Sequence, residues 1–404
     1  MAYIADLHLH SKYSRATSSR AGLEEYAAEA ALKGIKVIGT GDLTHPAWIS
    51  EIKTKLENCG NGLYKLSKYF LPAGNMGAHV RFCLSTEISS IFKKNGITRK
   101  VHTLVYVPRI EDAEIIGKRL SAIGNIASDG RPILGLEPKH LLEIVLETNP
   151  DAAVVPAHIW TPWFGLFGSK TGFNSVEECF EDMTQYLFAL ETGLSSDPPM
   201  NWKISNIDRY MLMSNSDAHS PETLGREANV FEGEVSYEHM FNSLRTGDGF
   251  YGTLEMYPEE GKYHADGHRK CGVVLNPEET MRCNGLCPEC GKPLTLGVLH
   301  RVEQLADKEQ TKNPHTGISF ESVVPLKRIL SRLLSKGDKT KTVEKAYNNI
   351  ISRIGSEFAV LREAPIEDIR NKGGTELSEA VRNMRAGKVD IKPGYDGQFG
   401  EVRF

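Results

Sequence analysis

Short apolar runs recur at positions 2–8, 35–40, 80–87, 101–107, 152–157, 187–191 and 210–214, and stretches with apolar residues three and four apart lie between them, as at 23–33 and 141–146. Runs of this length predict strands, and the intervening period predicts helices. Alternation of the two predicts parallel strands with crossover helices, closed into a barrel rather than left as an open sheet. Long loops are predicted at 44–76 and 161–176, on the rim where substrate sites form. After Tyr251-Gly252 the pattern becomes turn-rich, and from about Thr316 it is helical, with helices predicted at 323–334 and 342–354. The chain is therefore read as three domains: a catalytic α/β barrel at 1–250, a small module at 251–315 and a helical, DNA-contacting region at 316–404.

Each apolar run ends on or near a residue able to bind a metal. The first closes on His8-x-His10; the others lead to Asp42, Glu87, His102, His158, Glu191 and Asp217-x-His219. Strand side chains alternate with period two, so the imidazoles of an H-x-H point to the same side and can share one ion. Carboxylate and imidazole suit hard and borderline divalent ions, and a carboxylate such as Glu87 can bridge two of them. The predicted catalytic cluster is His8, His10, Asp42, Glu87, His102, His158, Asp217 and His219, holding two or three ions of zinc, manganese or magnesium.

The seven cysteines are Cys59, Cys83 and Cys179 singly, then Cys271, Cys283, Cys287 and Cys290 together. That clustering suits a metal site in a reducing compartment better than a disulfide framework. His268-x2-Cys271 and Cys287-x2-Cys290 are two knuckles that complete a tetrahedral shell, so His268, Cys271, Cys287 and Cys290 are predicted to hold one structural zinc. Cys283 is the competing fourth ligand, without the two-residue spacing.

At 404 residues, with 40% hydrophobic and 25% charged positions, the composition is that of an ordinary globular protein of more than one domain. The first residues lack a basic segment followed by an apolar one, and no run approaches membrane-span length, so a cytoplasmic protein is expected. A formal charge of −4 gives no general attraction to nucleic acid, but two or three divalent ions and a zinc would more than cancel it. Locally, Lys12, Arg15 and Arg20 crowd the loop after the H-x-H, and Lys327, Arg328, Arg332, Lys336, Lys339 and Lys341 form a basic run. The absence of a G-x-x-x-x-G-K-[ST] loop excludes a P-loop ATPase or helicase.

The H-x-H, Glu87, His102, His158 and Asp217-x-His219 together resemble the polymerase-and-histidinol-phosphatase (PHP) superfamily of metal-dependent phosphoesterases. Gly39-Thr40-Gly41-Asp42, the run Pro156 to Trp163, Leu194 to Asp197, Ser214 to Ser220 and Gly261-Lys262-Tyr263-His264 narrow the resemblance to the endonuclease Q family, over essentially the whole chain. It implies a distorted (β/α)7 PHP barrel, a zinc-binding module and a mostly helical C-terminal region. It also implies a DNA repair endonuclease nicking 5′ of deaminated bases such as uracil and hypoxanthine, and of abasic sites. Two positions depart from the superfamily: Arg15 stands where an aspartate often follows Tyr-Ser, and Asp42-Leu43 replaces an Asp-His pair, with His45 displaced. Both touch a third metal position, rebuilt from Asp42 and His219 if present.

Arg15 is the residue expected to brace a phosphate oxygen, because a guanidinium offers fixed charge and planar donors. Trp160, Trp163, Phe164 and Phe167 lie on the loop after His158, where aromatic faces can stack on bases or fill the gap left by a rotated nucleotide. Arg20, Trp160, Trp163, Phe164 and Tyr395 are the expected DNA contacts. The competing reading, a phosphoesterase for another nucleic acid or a small phosphorylated metabolite, leaves the zinc module and the last hundred residues without a task.

Overall fold

The structure is a computed structural model and describes residues 2–308 and 311–404. All seven apolar runs form strands: Ala2–Asp6, Ile35–Gly39, Arg81–Lys94, Ile97–Val107, Ala153–Pro156, Ala189–Glu191 and Met211–Met213. The first three pair in parallel, as do Ala189–Glu191 and Met211–Met213. Two backbone bonds close the gaps, Ile159 N to Glu191 O at 3.1 Å and His10 N to Ala218 O at 2.8 Å.

The expectation of uniformly parallel strands is corrected at Ile97–Val107, which runs antiparallel to both Arg81–Lys94 and Ala153–Pro156. Asn95-Gly96 is the cause. Both residues have positive φ, 52° and 77°, and join Lys94 to Ile97 in a two-residue hairpin whose twist matches that of the strands. His102 is the sixth of eleven residues in its strand and Glu87 the seventh of fourteen, so both sit mid-strand on neighbouring strands of opposite direction. The predicted loop at 44–76 is partly ordered, containing helix Pro46–Lys55 and the hairpin Leu56–Asn58/Tyr64–Leu66.

The sheet continues across position 250. Ala228–Glu232 pairs antiparallel with Ala2–Asp6 and with Phe250–Glu255, and Ser319–Ser322 returns parallel to Phe250–Glu255. The segment carrying the cysteines is thus an excursion between neighbouring strands. Helices Leu326–Leu333, Lys341–Ile354, Ile366–Gly373 and Thr375–Arg385 follow. Val343, Tyr347 and Ile350 recur at four and three residues along the second and are buried, which stabilises it by about 1.5 to 3 kcal/mol for each apolar side chain removed from water. Among the described residues no helix is long and apolar enough to cross a membrane.

Candidate metal centre

The backbone at the barrel rim is bent to deliver its ligands. Asp42, His158 and Asp217 follow their strands with φ of 48°, 27° and 47°, a region that non-glycine residues enter at a cost. Gly41 permits the first of these turns, because a Cβ there would lie 2.1 Å from the Leu9 carbonyl oxygen.

Two carboxylates orient the H-x-H pair from behind. His8 Nδ1 lies 3.0 Å from Glu191 Oε1, and Glu191 also accepts from His158 N at 2.7 Å and Asn215 Nδ2 at 2.9 Å. His10 Nδ1 lies 3.1 Å from Asp42 Oδ1, and Asp42 Oδ2 accepts from Ser11 N, Ser11 Oγ and Ser14 Oγ at 2.7, 2.6 and 2.9 Å. With both Nδ1 atoms engaged, both Nε2 atoms face forward. They are buried and lack hydrogen-bond partners, as is Asp217 Oδ1.

These orphaned atoms converge. His10 Nε2 lies 3.1 Å from Asp217 Oδ1 and 3.2 Å from Glu87 Oε2, and His8 Nε2 lies 3.5 and 3.6 Å from the same oxygens. Four ligands at about 2.1 Å from a tetrahedral ion stand roughly 3.4 Å apart, so His8, His10, Glu87 and Asp217 fit a divalent cation. The other oxygen of Glu87 faces a second group, with Oε1 2.7 Å from His102 Nδ1 and 2.9 Å from His158 Nε2. Ser89 Oγ lies 3.1 Å from His102 Nε2, and Thr161 Oγ1 lies 3.0 Å from His158 Nδ1. The two groups share Glu87, whose two carboxylate oxygens face one group each.

Electrostatics point the same way. Burial pushes His102 down to about 4, keeping it neutral and able to donate a lone pair at neutral pH. Burial also lowers His8 and His10, but for His8 the charges of Glu191, Asp217 and Glu87 outweigh it, and for His10 the hydrogen-bonding carboxylates Asp217, Asp42 and Glu87 do, with the charge of Asp42 added; both end well above the usual imidazole range. Burial opposes ionisation of Glu87, yet His102, Arg131 and His8 hold it well below the usual carboxylate range. The pocket is built for positive charge.

Several residues take other places than expected. Asp42, expected among the ligands, sits behind His10 with both oxygens hydrogen-bonded and outside both ligand groups, placed to orient His10. His219 lies against His10 at 4.5 Å between ring centroids, tilted by 48°, and turns Nδ1 to the Asp217 carbonyl, outside both ligand groups. Arg15 is a surface residue, 72% exposed and 3.3 Å from Asp129. Arg131 is the guanidinium that reaches the centre, with Nη1 2.9 Å from Glu87 Oε2; it lies in an aperiodic loop, where the sequence carries no signal for it. Glu191 was visible as a strand end but not as the partner of His8.

On the aromatic loop, Trp160 is 1% exposed, packs on Phe167 and donates to Asn201 Oδ1 at 2.8 Å. It is core, so its expected DNA contact is corrected. Phe164 lies 4.3 Å from His102 between ring centroids, and Trp163 is 53% exposed beneath the Lys100 ammonium. Arg20 pairs with Glu222 on the surface at 2.6 Å. Tyr395 is half-buried on the cysteine module, bridged to Ala265. In that module ligand atoms of His268, Cys271, Cys287 and Cys290 all lie within 4.8 Å of one another, and Cys283 is outside the group. The donor set and spacing fit a tetrahedral zinc.

Residues 325–388 match the family described as the MJ0043 C-terminal domain. The chain is 32% identical over 273 residues to the protein MJ0043 of Methanocaldococcus jannaschii, of whose length it spans about a third (34%, against 64% of this chain). It is 27% identical to YqxK of Bacillus subtilis over 99% of this chain and 98% of that one. Among solved structures, the lesion-specific endonuclease Q of Pyrococcus furiosus superposes with a TM-score of 0.88 at 30% identity, covering 100% of this chain and 96% of that one. An endonuclease Q bound to a 27-mer duplex with an abasic lesion at its active site superposes at 0.85, also at 30% identity, over 100% and 97% of the two chains. Identity at that level, sustained over nearly the full length of both chains, places the protein: the chain belongs to the endonuclease Q family.

Proposed function

We propose that this protein is a metal-dependent DNA endonuclease of repair that hydrolyses the phosphodiester on the 5′ side of a damaged nucleotide. The observation that carries the reading is the pair of ligand groups joined through Glu87, in a chain of the endonuclease Q family. When bound, two divalent ions of zinc, manganese or magnesium supply a nucleophile at neutral pH and neutralise charge on the phosphate.

The chain's own residues do the rest. Glu191 and Asp42 hold His8 and His10 in one tautomer and orientation, which sharpens the site before substrate arrives. Arg131, held by Glu87, presents a fixed guanidinium at the centre, able to brace a phosphate oxygen by two donors. Phe164 against His102 and the exposed Trp163 border the ligands with aromatic surface, suited to a nucleotide turned out of the stack. Tyr395, on the cysteine module, is the residue we assign to recognising the displaced base. The module itself would be held by one zinc on His268, Cys271, Cys287 and Cys290.

End-labelled duplexes carrying one uracil, hypoxanthine or abasic site, incubated with and without manganese or magnesium, test the reading. A single metal-dependent nick 5′ of the lesion, absent from the undamaged duplex and from His8→Ala protein, is expected. Equal cutting of damaged and undamaged DNA, or full activity in His8→Ala, overturns it.

A further inference from the structure

Away from the metal centre, the C-terminal tail and the turn before the cysteine module meet in a small cationic and aromatic surface. Phe399 is 69% exposed and Tyr263 is 45% exposed. The ammonium of Lys262 stands 4.5 Å from the Phe399 ring centroid, and Arg269 and Lys270 are exposed on the same module.

The surface is rigid. Tyr395 and Gln398 exchange both backbone bonds, at 3.0 and 2.8 Å, and Gly397 N donates to Lys262 O at 3.0 Å. Asp396 anchors the turn, accepting from Thr295 Oγ1 at 2.7 Å and from Arg269 N at 2.8 Å. Its carboxylate is thereby engaged within the module.

One helix connects this surface to the aromatic loop that follows His158. Val298 N, at the start of helix Val298–Leu305, donates to Tyr263 O at 2.8 Å, and Arg301 of that helix donates to the carbonyls of Phe167 and Phe173 at 3.0 Å. Phe167 belongs to the loop that begins at His158. A helix rises 1.5 Å per residue, so Tyr263 stands within roughly 15 to 20 Å of that loop. That is about five steps of a DNA strand at 3.4 Å each.

We propose that Lys262, Tyr263 and Phe399 form a stacking platform for unpaired DNA nucleotides a few positions from the scissile phosphate, with Arg269 and Lys270 meeting the backbone. The inference rests on the DNA-cutting function proposed above. Exposed rings that stack on bases of any sequence, with ammonium groups for the phosphates, are what single strands require.

Fluorescence anisotropy of a labelled single-stranded oligonucleotide, without added manganese or magnesium, tests the platform in the full-length protein. Loss of one base stack is worth about 1 to 3 kcal/mol, so Phe399→Ala and Tyr263→Ala should each weaken binding about 5- to 150-fold. Their salt dependence should be unchanged, whereas Lys262→Ala should lower the salt slope by roughly 0.7. Phe399→Trp should bind like the parent, which excludes a folding defect. Single-strand affinity within twofold of the parent in both Phe399→Ala and Tyr263→Ala overturns the platform, even if lesion duplexes are still cut. Platform-dependent binding by a protein that cuts no lesion overturns the endonuclease reading instead and leaves the platform standing. No binding by the parent also overturns the platform, while the endonuclease reading stands or falls on the cutting of lesion duplexes.

Discussion

His8 and Glu191 are joined across the one strand, Met211–Met213, that separates theirs: the Nδ1 of one lies 3.0 Å from the Oε1 of the other, across 183 residues of sequence, and both are buried. Because Glu191 fixes that nitrogen, the Nε2 of His8 is committed to the centre. Glu191→Gln should therefore weaken metal affinity about 10- to 100-fold while sparing the fold. Cleavage rate measured against manganese concentration should show a right-shifted curve reaching a near-parental plateau; an unshifted curve would remove Glu191 from the metal's support.

Arg131 and Arg15 separate a guanidinium at the centre from one on the surface. Arg131→Ala should lower kcat by roughly 100-fold, the scale for losing one charged contact in a transition state, and Arg131→Lys should recover only part of it. Arg15→Ala should stay within a few-fold of the parent, since its partner Asp129 and its exposure describe a rim ion pair. Single-turnover rates on an abasic duplex rank the two, and the opposite order would return the phosphate-bracing role to Arg15.

How far the sequence foretold this site depended on periodicity. Residues at the ends of short apolar runs, such as His8, His158 and Asp217, were legible because a strand delivers its last side chains to one rim. Direction was not legible from apolar content: the hairpin that reverses Ile97–Val107 turns on Asn95-Gly96, which lies outside the apolar runs, and the run containing His102 reads the same either way. Nor does sequence divide ligands from the carboxylates behind them. Asp42 and Glu191 each orient an imidazole although both looked like ligands, because only folding decides which face of a histidine a carboxylate meets. Trp160 and Trp163 are three residues apart with the same chemistry, and only packing sends one inward.

A second carboxylate pair lies under the rim and sets a pH dependence of stability. The Ser214 hydroxyl lies 3.0 Å from Glu227 Oε2 and 2.9 Å from Glu255 Oε2, and one hydroxyl hydrogen cannot serve both, so a carboxyl must carry a proton. Burial pushes Glu255 up to about 8, and burial with the neighbouring Glu255 raises Glu227. A carboxyl with a raised folded pKa contributes its stability in full below the unfolded value near 4.3 and loses it as pH rises through 8. Glu255→Gln should remove that loss, so the variant gains on the parent between about pH 5 and 8 by up to roughly 1.4 kcal/mol per pH unit. Urea unfolding across that range checks the slope, and parallel curves would mean that Glu255 is ionised in the native protein.

Cys287 is the buried member of the cysteine group, and the module around it has little apolar core to hold it without a metal. Zinc binding in small modules contributes on the order of 10 to 16 kcal/mol to folding. Cys287→Ser should lose its zinc and open residues 266–297 to proteolysis, whereas Cys283→Ser should keep both zinc and resistance. Metal analysis of the two purified variants decides between His268 and Cys283 as the fourth ligand.

Trp160 and Trp163 allow stability and DNA opening to be told apart on one loop. Trp160 is 1% exposed and bonded to Asn201, so Trp160→Ala should cost about 3 to 5 kcal/mol of stability and lower activity on every substrate through the folded fraction. Trp163 is 53% exposed, its ring 5.3 Å beneath Lys100, and its loss should leave the melting temperature almost unchanged. If Trp163 helps hold a nucleotide out of the helix, its role is needed only where bases must be unpaired and unstacked, a cost of a few kcal/mol that a single strand does not incur. Trp163→Ala should therefore slow cleavage of a paired uracil duplex by at least tenfold more than cleavage of the same single strand, since 1.4 kcal/mol of that cost is already a factor of ten. Tyr395→Ala should instead alter the ranking among uracil, hypoxanthine and abasic substrates. Equal slowing of single strand and duplex by Trp163→Ala would mean that the exposed ring serves the phosphate or the loop itself, and the opening of DNA would have to be sought elsewhere on the protein.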